Sequence, residues 1–219
     1  METLVSLMLG AVVVLAGAVV WTRSLGFPAQ RLAEYAGKDP AFSLRDHLNG
    51  PILCEGVVFG PTGRAASRFV ADIHGSWQGN VGTLTETFRY DSGAVQERCW
   101  TLTLGNDGSI RAEAPDVIGT GTGMASGPAV RMRYRIRLPE DSGGHVLDAV
   151  DWMYVVDNGT VINRSQFRKF GIKVAELVST CSRVEPAGAP GRGAGTGSLA
   201  RPRGWAARWP SHSAGPGPR

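Results

Sequence analysis

Three cysteines in 219 residues, Cys54, Cys99 and Cys181, are too few and too widely spaced for a disulfide framework or a thiolate metal site. At most one pair can bridge, and three small buried or half-buried thiols are the simpler reading. The four histidines, His47, His74, His145 and His212, are scattered without ligand spacing. No serine, cysteine or histidine arrangement sets a nucleophile beside its base. No metal, cofactor or catalytic residue is therefore expected, and a binding or structural role is favoured over an enzyme. Surplus charge is also lacking where it would matter. The formal net charge is +4, but residues 185–219 hold five Arg and one Glu, and the remaining 184 residues carry 18 basic and 18 acidic side chains. A balanced domain excludes a basic nucleic-acid reader, so no nucleic-acid partner is expected.

Charge is missing again from Leu4 to Trp21, an unbroken run of 18 residues. At about 1.5 Å per residue such a run is just long enough to cross a bilayer core. It is apolar all round, which argues against an amphipathic core helix. No Lys or Arg precedes it, which argues against a cleaved signal despite the small residues Ala16-Gly17-Ala18. Residues 1–22 are read as a transmembrane anchor or signal segment, placing the chain at a bacterial inner membrane as a single-pass protein. Arg23, Arg31, Lys38 and Arg45 all follow the run, and the positive-inside bias then points the domain to the cytoplasm, leaving the membrane face open. Residues 23–50, punctuated by Pro and Gly, read as a linker. At the other end, 14 of residues 185–219 are Gly or Pro. That composition predicts a disordered tail.

Between these, residues 51–184 alternate apolar and polar side chains, with turn signals about every ten residues. Strands are predicted at 52–59, 67–77, 82–90, 94–104, 109–114, 117–125, 129–138, 145–156 and 160–167; residues 169–182 form a last strand or a short helix. Asn158-Gly159 is a strong hairpin signal, read here as a two-residue loop. About ten sequential short strands imply an all-β, up-and-down antiparallel sheet, which closes to remove its edges; a barrel of about 8–10 strands with room for one small ligand is expected, with a two-sheet sandwich as the alternative. In "VIGTGTGMASG", Gly119, Gly121, Gly123 and Ala125 fall on one strand face. No helix pattern follows and the third glycine is displaced, so this is no dinucleotide fingerprint but a strand with one bare face.

The candidate site comes from charges in phase with large apolar residues. Leu84, Glu86, Phe88 and Tyr90 share a face, as do Arg98, Trp100, Leu102 and Leu104. Around the loop centred on Ser92, Glu86 and Arg98 lie near-opposite and can pair. Asp116, Asp148, Asp151, Asn163 and Arg164 follow. With a two-residue loop at 158–159, position 153 opposes 164 and Asp151 is diagonal to Arg164. Three readings remain open: internal ion pairs that fix register, a polar cluster orienting a ligand, and acid–base chemistry by Glu86 with Asp116 or Asp151. The last predicts a pocket and a raised pKa on one carboxyl.

"LTETFRYDSGAVQERCW", "APDVIGTGTGMASGPAVRMRYRIRLP" and "DWMYVVDNGTVINRSQFRKFGIKVAE" resemble, in order, an uncharacterised bacterial family called domain of unknown function 3833, over roughly residues 51–183. The matching residues are Glu86, Phe88, Tyr90, Asp91, Gly93, Arg98, Trp100, Asp116, Gly119, Gly123, Asp151, Trp152, Met153, Asn163, Arg164, Phe170 and Gly171. The resemblance implies an envelope protein with a lipocalin-like fold and no established activity. Unlike its lipoprotein members, this chain lacks an anchoring cysteine, and the N-terminal apolar run stands in its place. The expected function is binding of a lipid or small amphiphile by a membrane-tethered barrel. Phe88, Trp100, Trp152 and Met153 would be its walls, and Glu86, Arg98, Asp116, Asp151, Asn163 and Arg164 its polar contacts. The rivals are an envelope structural protein with a filled barrel and an enzyme acting on an amphiphile.

Overall fold

The computed structural model describes residues 2–184; the segment read as a disordered tail, 185–219, lies outside the described residues. The uncharged run folds as helix α1, Glu2–Ser24. Among the described residues, no helix is long and apolar enough to cross a membrane.

Ten strands follow: β1 Gly50–Phe59, β2 Ala65–Gln78, β3 Val81–Tyr90, β4 Val95–Leu104, β5 Ser109–Glu113, β6 Gly121–Ser126, β7 Ala129–Arg137, β8 Val146–Val155, β9 Val161–Lys169 and β10 Ile172–Arg183. Each pairs antiparallel with its sequence neighbours, and β10 pairs with β1, so the sheet is a closed barrel with no sandwich break. The residues left open between strand and helix at 169–182 are strand, entered through a turn at Phe170 and Gly171.

The seam between β1 and β10 runs from Ile52 opposite Arg183 to Phe59 opposite Glu176. Within it Cys54 stands opposite Cys181, and the two are joined by a disulfide 127 residues apart in sequence. This corrects the three-thiol reading; Cys99 alone is free, and it is exposed.

Alternation does the packing. On β2, Phe69 and Ala71 are buried while Val70 and Asp72 point out. On β7, Val130, Met132 and Ile136 are buried between Arg131, Arg133, Arg135 and Arg137. The bare face of β6 points inward. A Cβ on Gly123 would meet the Met132 Sδ at 2.1 Å and the Arg131 carbonyl at 2.8 Å. The glycine is what lets the Met132 side chain into the barrel. Gly123→Ala is expected to cost about 1–3 kcal/mol by overpacking, read as a lower urea midpoint.

Residues 25–49 are more than a linker. Phe27, Phe42, Leu44 and Leu48 are all buried. Helix α2, Leu44–His47, is capped by the Ser43 hydroxyl, which accepts from the Asp46 N–H. It closes one end of the barrel. The Trp77 Nε1 donates to the Leu48 carbonyl at 2.8 Å, the Phe42 N–H donates to the Gly127 carbonyl, and Arg183 reaches the Asn49 carbonyl. Upstream, Phe27 and Tyr35 lie against the outer wall over Trp152 and Ala129.

Candidate functional site

The pleat of β3 and β4 turns Leu84, Glu86 and Phe88 and, across the ladder, Arg98, Trp100 and Leu102 into the barrel. Glu86 stands opposite Arg98, as the sequence predicts. β7 contributes Met132 and Tyr134, β8 Asp151 and Met153, and β9 Asn163, Ser165 and Phe167. Together with Leu44 and Leu48 from the end plug these residues line a cavity of about 160 Å³. That is room for roughly ten to fifteen non-hydrogen atoms, far less than a two-chain lipid.

Arg98 organises the polar side of this cavity. Its Nε and Nη2 donate to the two Asp116 oxygens at 2.8 and 3.2 Å, a bidentate clamp. Its Nη1 lies 3.8 Å from Glu86 Oε2, within ion-pair reach but too long for a hydrogen bond. The guanidinium carbon sits 4.7 Å from the centre of the Trp100 ring. Arg98 and Glu86 side chains are only 13% and 12% exposed. Two oxygens in this region, Glu86 Oε2 and Asp151 Oδ1, are buried and take no hydrogen bond.

Burial decides the protonation of the cluster. It pushes the Glu86 carboxyl up to about 7; Arg98 and then Trp100 oppose the rise, while the Asp151 and Asp116 charges add to it. Burial likewise raises Asp151 above the usual carboxylate range, against Ser165, Tyr134 and Arg98. Tyr134 is raised well above an ordinary phenol, by burial first and by Asp151 second. Burial works against the Arg98 charge, but Glu86, Tyr134 and Asp116 outweigh it and hold its proton more firmly.

Not every expected residue comes here. Asp116 belongs to the segment between β5 and β6 and reaches the cluster only through Arg98. Trp152 and Arg164 face away from the cavity. Neighbours on a strand point to opposite sides, so Trp152 cannot share a face with Asp151, nor Arg164 with Asn163. The β8–β9 turn also differs from the two-residue loop. Val155 opposes Val161, the Val156 N–H donates to the Thr160 carbonyl, and Asp157, Asn158 and Gly159 form a three-residue turn. Gly159 takes the left-handed position that such a loop needs, with φ of 80°. Asn163 therefore opposes Met153, and Arg164 opposes Trp152 rather than lying diagonal to Asp151. A slip of one residue moves a side chain to the other face. Outside, Arg164 Nε donates to Glu176 at 2.6 Å and its guanidinium lies 5.2 Å from the Phe27 ring centre. Trp152, 1% exposed, packs under Tyr35, with ring centres 5.7 Å apart. Sequence reasoning missed Tyr134 and Ser165. Both carried a signal, since Tyr134 is in phase with Val130, Met132 and Ile136, and Ser165 with Asn163 and Phe167.

The wall beside the cluster is incomplete. β4 pairs with β5 only over Thr101–Leu104, so Val95–Trp100 are laddered on the β3 side alone. The segment carrying Asp116 turns instead to β7, where Val117 bridges Ile136 and the Arg137 N–H donates to the Asp116 carbonyl. The Arg98–Asp116 clamp spans the gap, and a cleft of about 560 Å³ bordered by Gln96, Arg98, Asp116 and Pro139 lies along it.

The family model described as "Protein of unknown function (DUF3833)" matches residues 22–183. The chain belongs to that family. The DUF3833 match begins at residue 22 and so takes in the Phe27–Leu48 cover as well as the ten strands. No curated protein matches the sequence. Among solved structures the chain is similar to Rv2717c from M. tuberculosis, at 16% identity and a TM-score of 0.48, over 67% of this chain and 100% of that one. It is also similar to the S-type phycobiliprotein lyase CPES from Guillardia theta, at 8% identity and a TM-score of 0.46, over 64% of this chain and 90% of that one.

Proposed function

We propose that the barrel is a binding module for a small amphiphile, with an apolar body against Phe88, Trp100, Met132 and Met153 and a polar end at Glu86, Arg98, Asp151 and Asn163. The observation that carries the reading is a mostly apolar cavity of about 160 Å³ inside the barrel with convergent polar groups on one side. A purely structural barrel has no need of two buried carboxyl oxygens without a donor. Its volume favours a single short chain or one ring over a membrane lipid.

Attachment to a membrane surface is part of the proposal. Leu4, Leu7, Met8 and Trp21 on α1 are 66–73% exposed, without cover from the other described residues, and such an apolar surface suits contact with a bilayer. The Cys54–Cys181 bond fits the oxidising side of a bacterial membrane.

Native mass spectrometry of the full chain tests the binding reading, in an amphipathic polymer too large to enter the barrel. Residues 27–35 cover Trp152, so the N-terminal segment must be kept. A discrete added mass of roughly ten to fifteen heavy atoms, lost on Ser165→Leu, is expected. An apo mass with no uptake of small amphiphiles would leave a structural barrel whose polar cluster fixes register.

One observation favours an enzyme as the second reading. A carboxyl held near 7 inside a cavity is placed for proton transfer at neutral pH. That reading requires Glu86→Gln to abolish turnover of a ligand that still binds.

A further inference from the structure

The charges around the cavity do not balance, and the imbalance says what kind of polar end the ligand carries. Three carboxyls, Glu86, Asp116 and Asp151, meet one cation, Arg98. Asp116 takes two of the three Arg98 donor nitrogens, from outside the cavity. The third nitrogen stands 3.8 Å from Glu86 Oε2 and makes no hydrogen bond to it. The cavity is therefore left with two carboxyl groups, each with a buried oxygen lacking a donor, and with a guanidinium whose charge is already matched. The other titratable groups facing Glu86 and Asp151 are Tyr134 from β7 and Tyr90 from β3, both neutral phenols near pH 7. The facing residues of β2 and β9, Ile73 and Ser165, bring no charge. An anionic head would meet carboxyls and no free cation. A neutral head could satisfy one oxygen. A head with several N–H donors and a positive charge satisfies both and, with one of the two cavity carboxyls still protonated, restores charge balance.

We propose that the barrel selects a small organic cation, a primary ammonium group on an apolar chain or ring of roughly ten atoms, with Glu86 and Asp151 as its counter-charges. This rests on the binding reading above and narrows it to a ligand class. Without a ligand the carboxyls meet their burial by holding protons; Glu86 does so up to about 7 and Asp151 is shifted the same way. Entry of an ammonium ion replaces those protons by a charge that stays. Binding is therefore linked to proton release below neutrality, and affinity climbs with pH until Glu86 is ionised.

The test is isothermal titration calorimetry of the full, disulfide-bonded chain with three ligands of one shape: 2-phenylethylammonium, 2-phenylethanol and phenylacetate. The amine is expected to bind at least tenfold tighter than the alcohol at pH 8, and phenylacetate more weakly than either. Amine affinity should drop several-fold from pH 8 to pH 6. Paired titrations at pH 6 in buffers of different ionisation enthalpy should show close to one proton released, and at pH 8 far less. Glu86→Gln and Asp151→Asn should each remove most of the amine's advantage over the alcohol. The three-ligand comparison on the unmodified chain stands even where a variant fails to fold. If the alcohol or the acid binds as well as the amine, the cation class is overturned and the binding reading survives. If none of the three binds to a chain with native near-ultraviolet dichroism, the binding reading itself fails and takes the ligand class with it.

Discussion

Breaking the Cys54–Cys181 bond is expected to cost about 2–5 kcal/mol of folding stability. The bond joins the first strand to the last, across 127 residues of sequence, within the seam that, among the described residues, alone pairs strands distant in the chain. Every other ladder is a hairpin between sequence neighbours and re-forms locally. The β1–β10 ladder must bring together ends that the unfolded chain holds far apart, and closing so long a loop carries a large entropic cost. The bond removes most of that cost from the unfolded state. Cys54→Ala with Cys181→Ala, compared with the oxidised chain in urea, should lower the midpoint by on the order of 1–2 M. Cys99→Ala, exposed and unbonded, should leave it where it is. An unchanged midpoint in the double variant would mean that the seam is held by its hydrogen bonds and packing alone.

The second large effect is on pH. Stability should fall by about 3 kcal/mol between pH 4.5 and pH 7, then level off. The direction follows from Glu86. Its ordinary value is 4.5 and its value in the barrel is about 7. In that window the folded protein keeps a proton that the unfolded chain has released, so each rise in pH favours unfolding. The contribution is full below 4.5 and gone above 7. Asp151, raised by burial, acts in the same direction. Urea unfolding at pH 5, 6, 7 and 8 should show the slope, and Glu86→Gln should flatten most of it. A profile equally steep in Glu86→Gln would move the titrating group elsewhere.

The strands could be read from the chain because alternation is a local property. Leu84, Glu86, Phe88 and Tyr90 announce a common face wherever the strand sits, and a turn at Asp91-Ser92-Gly93 brings that face against Arg98 and Trp100. The pairing of Glu86 with Arg98 came from nothing more than counting outward from Ser92. Counting failed at Asn158-Gly159, where the same dipeptide serves a two-residue or a three-residue turn, and one residue of difference moved Arg164 from the cavity to the outer wall. The disulfide was invisible because the β1–β10 register depends on closure of the whole sheet, which no local pattern encodes. The segment around Phe27, Phe42, Leu44 and Leu48 looked like a linker because its apolar residues have no period; their partners, Trp152, Gly75 and Trp77, lie in strands far along the sequence. The carboxyl excess in the cavity lies between these cases. Its acidic residues were visible, but the capture of Arg98 by Asp116, which leaves Glu86 and Asp151 short of donors, is a fact of three-dimensional placement.

Most of the barrel wall is stitched by backbone hydrogen bonds, which part only by local unfolding. From Val95 to Trp100 one stitch of a different kind takes over, the contact of Arg98 with Asp116. A side-chain contact can open with no strand displaced. The molecule therefore has one stretch of wall held by charge in place of a ladder, and exchange between its interior and the surrounding medium need not wait for the barrel to unfold.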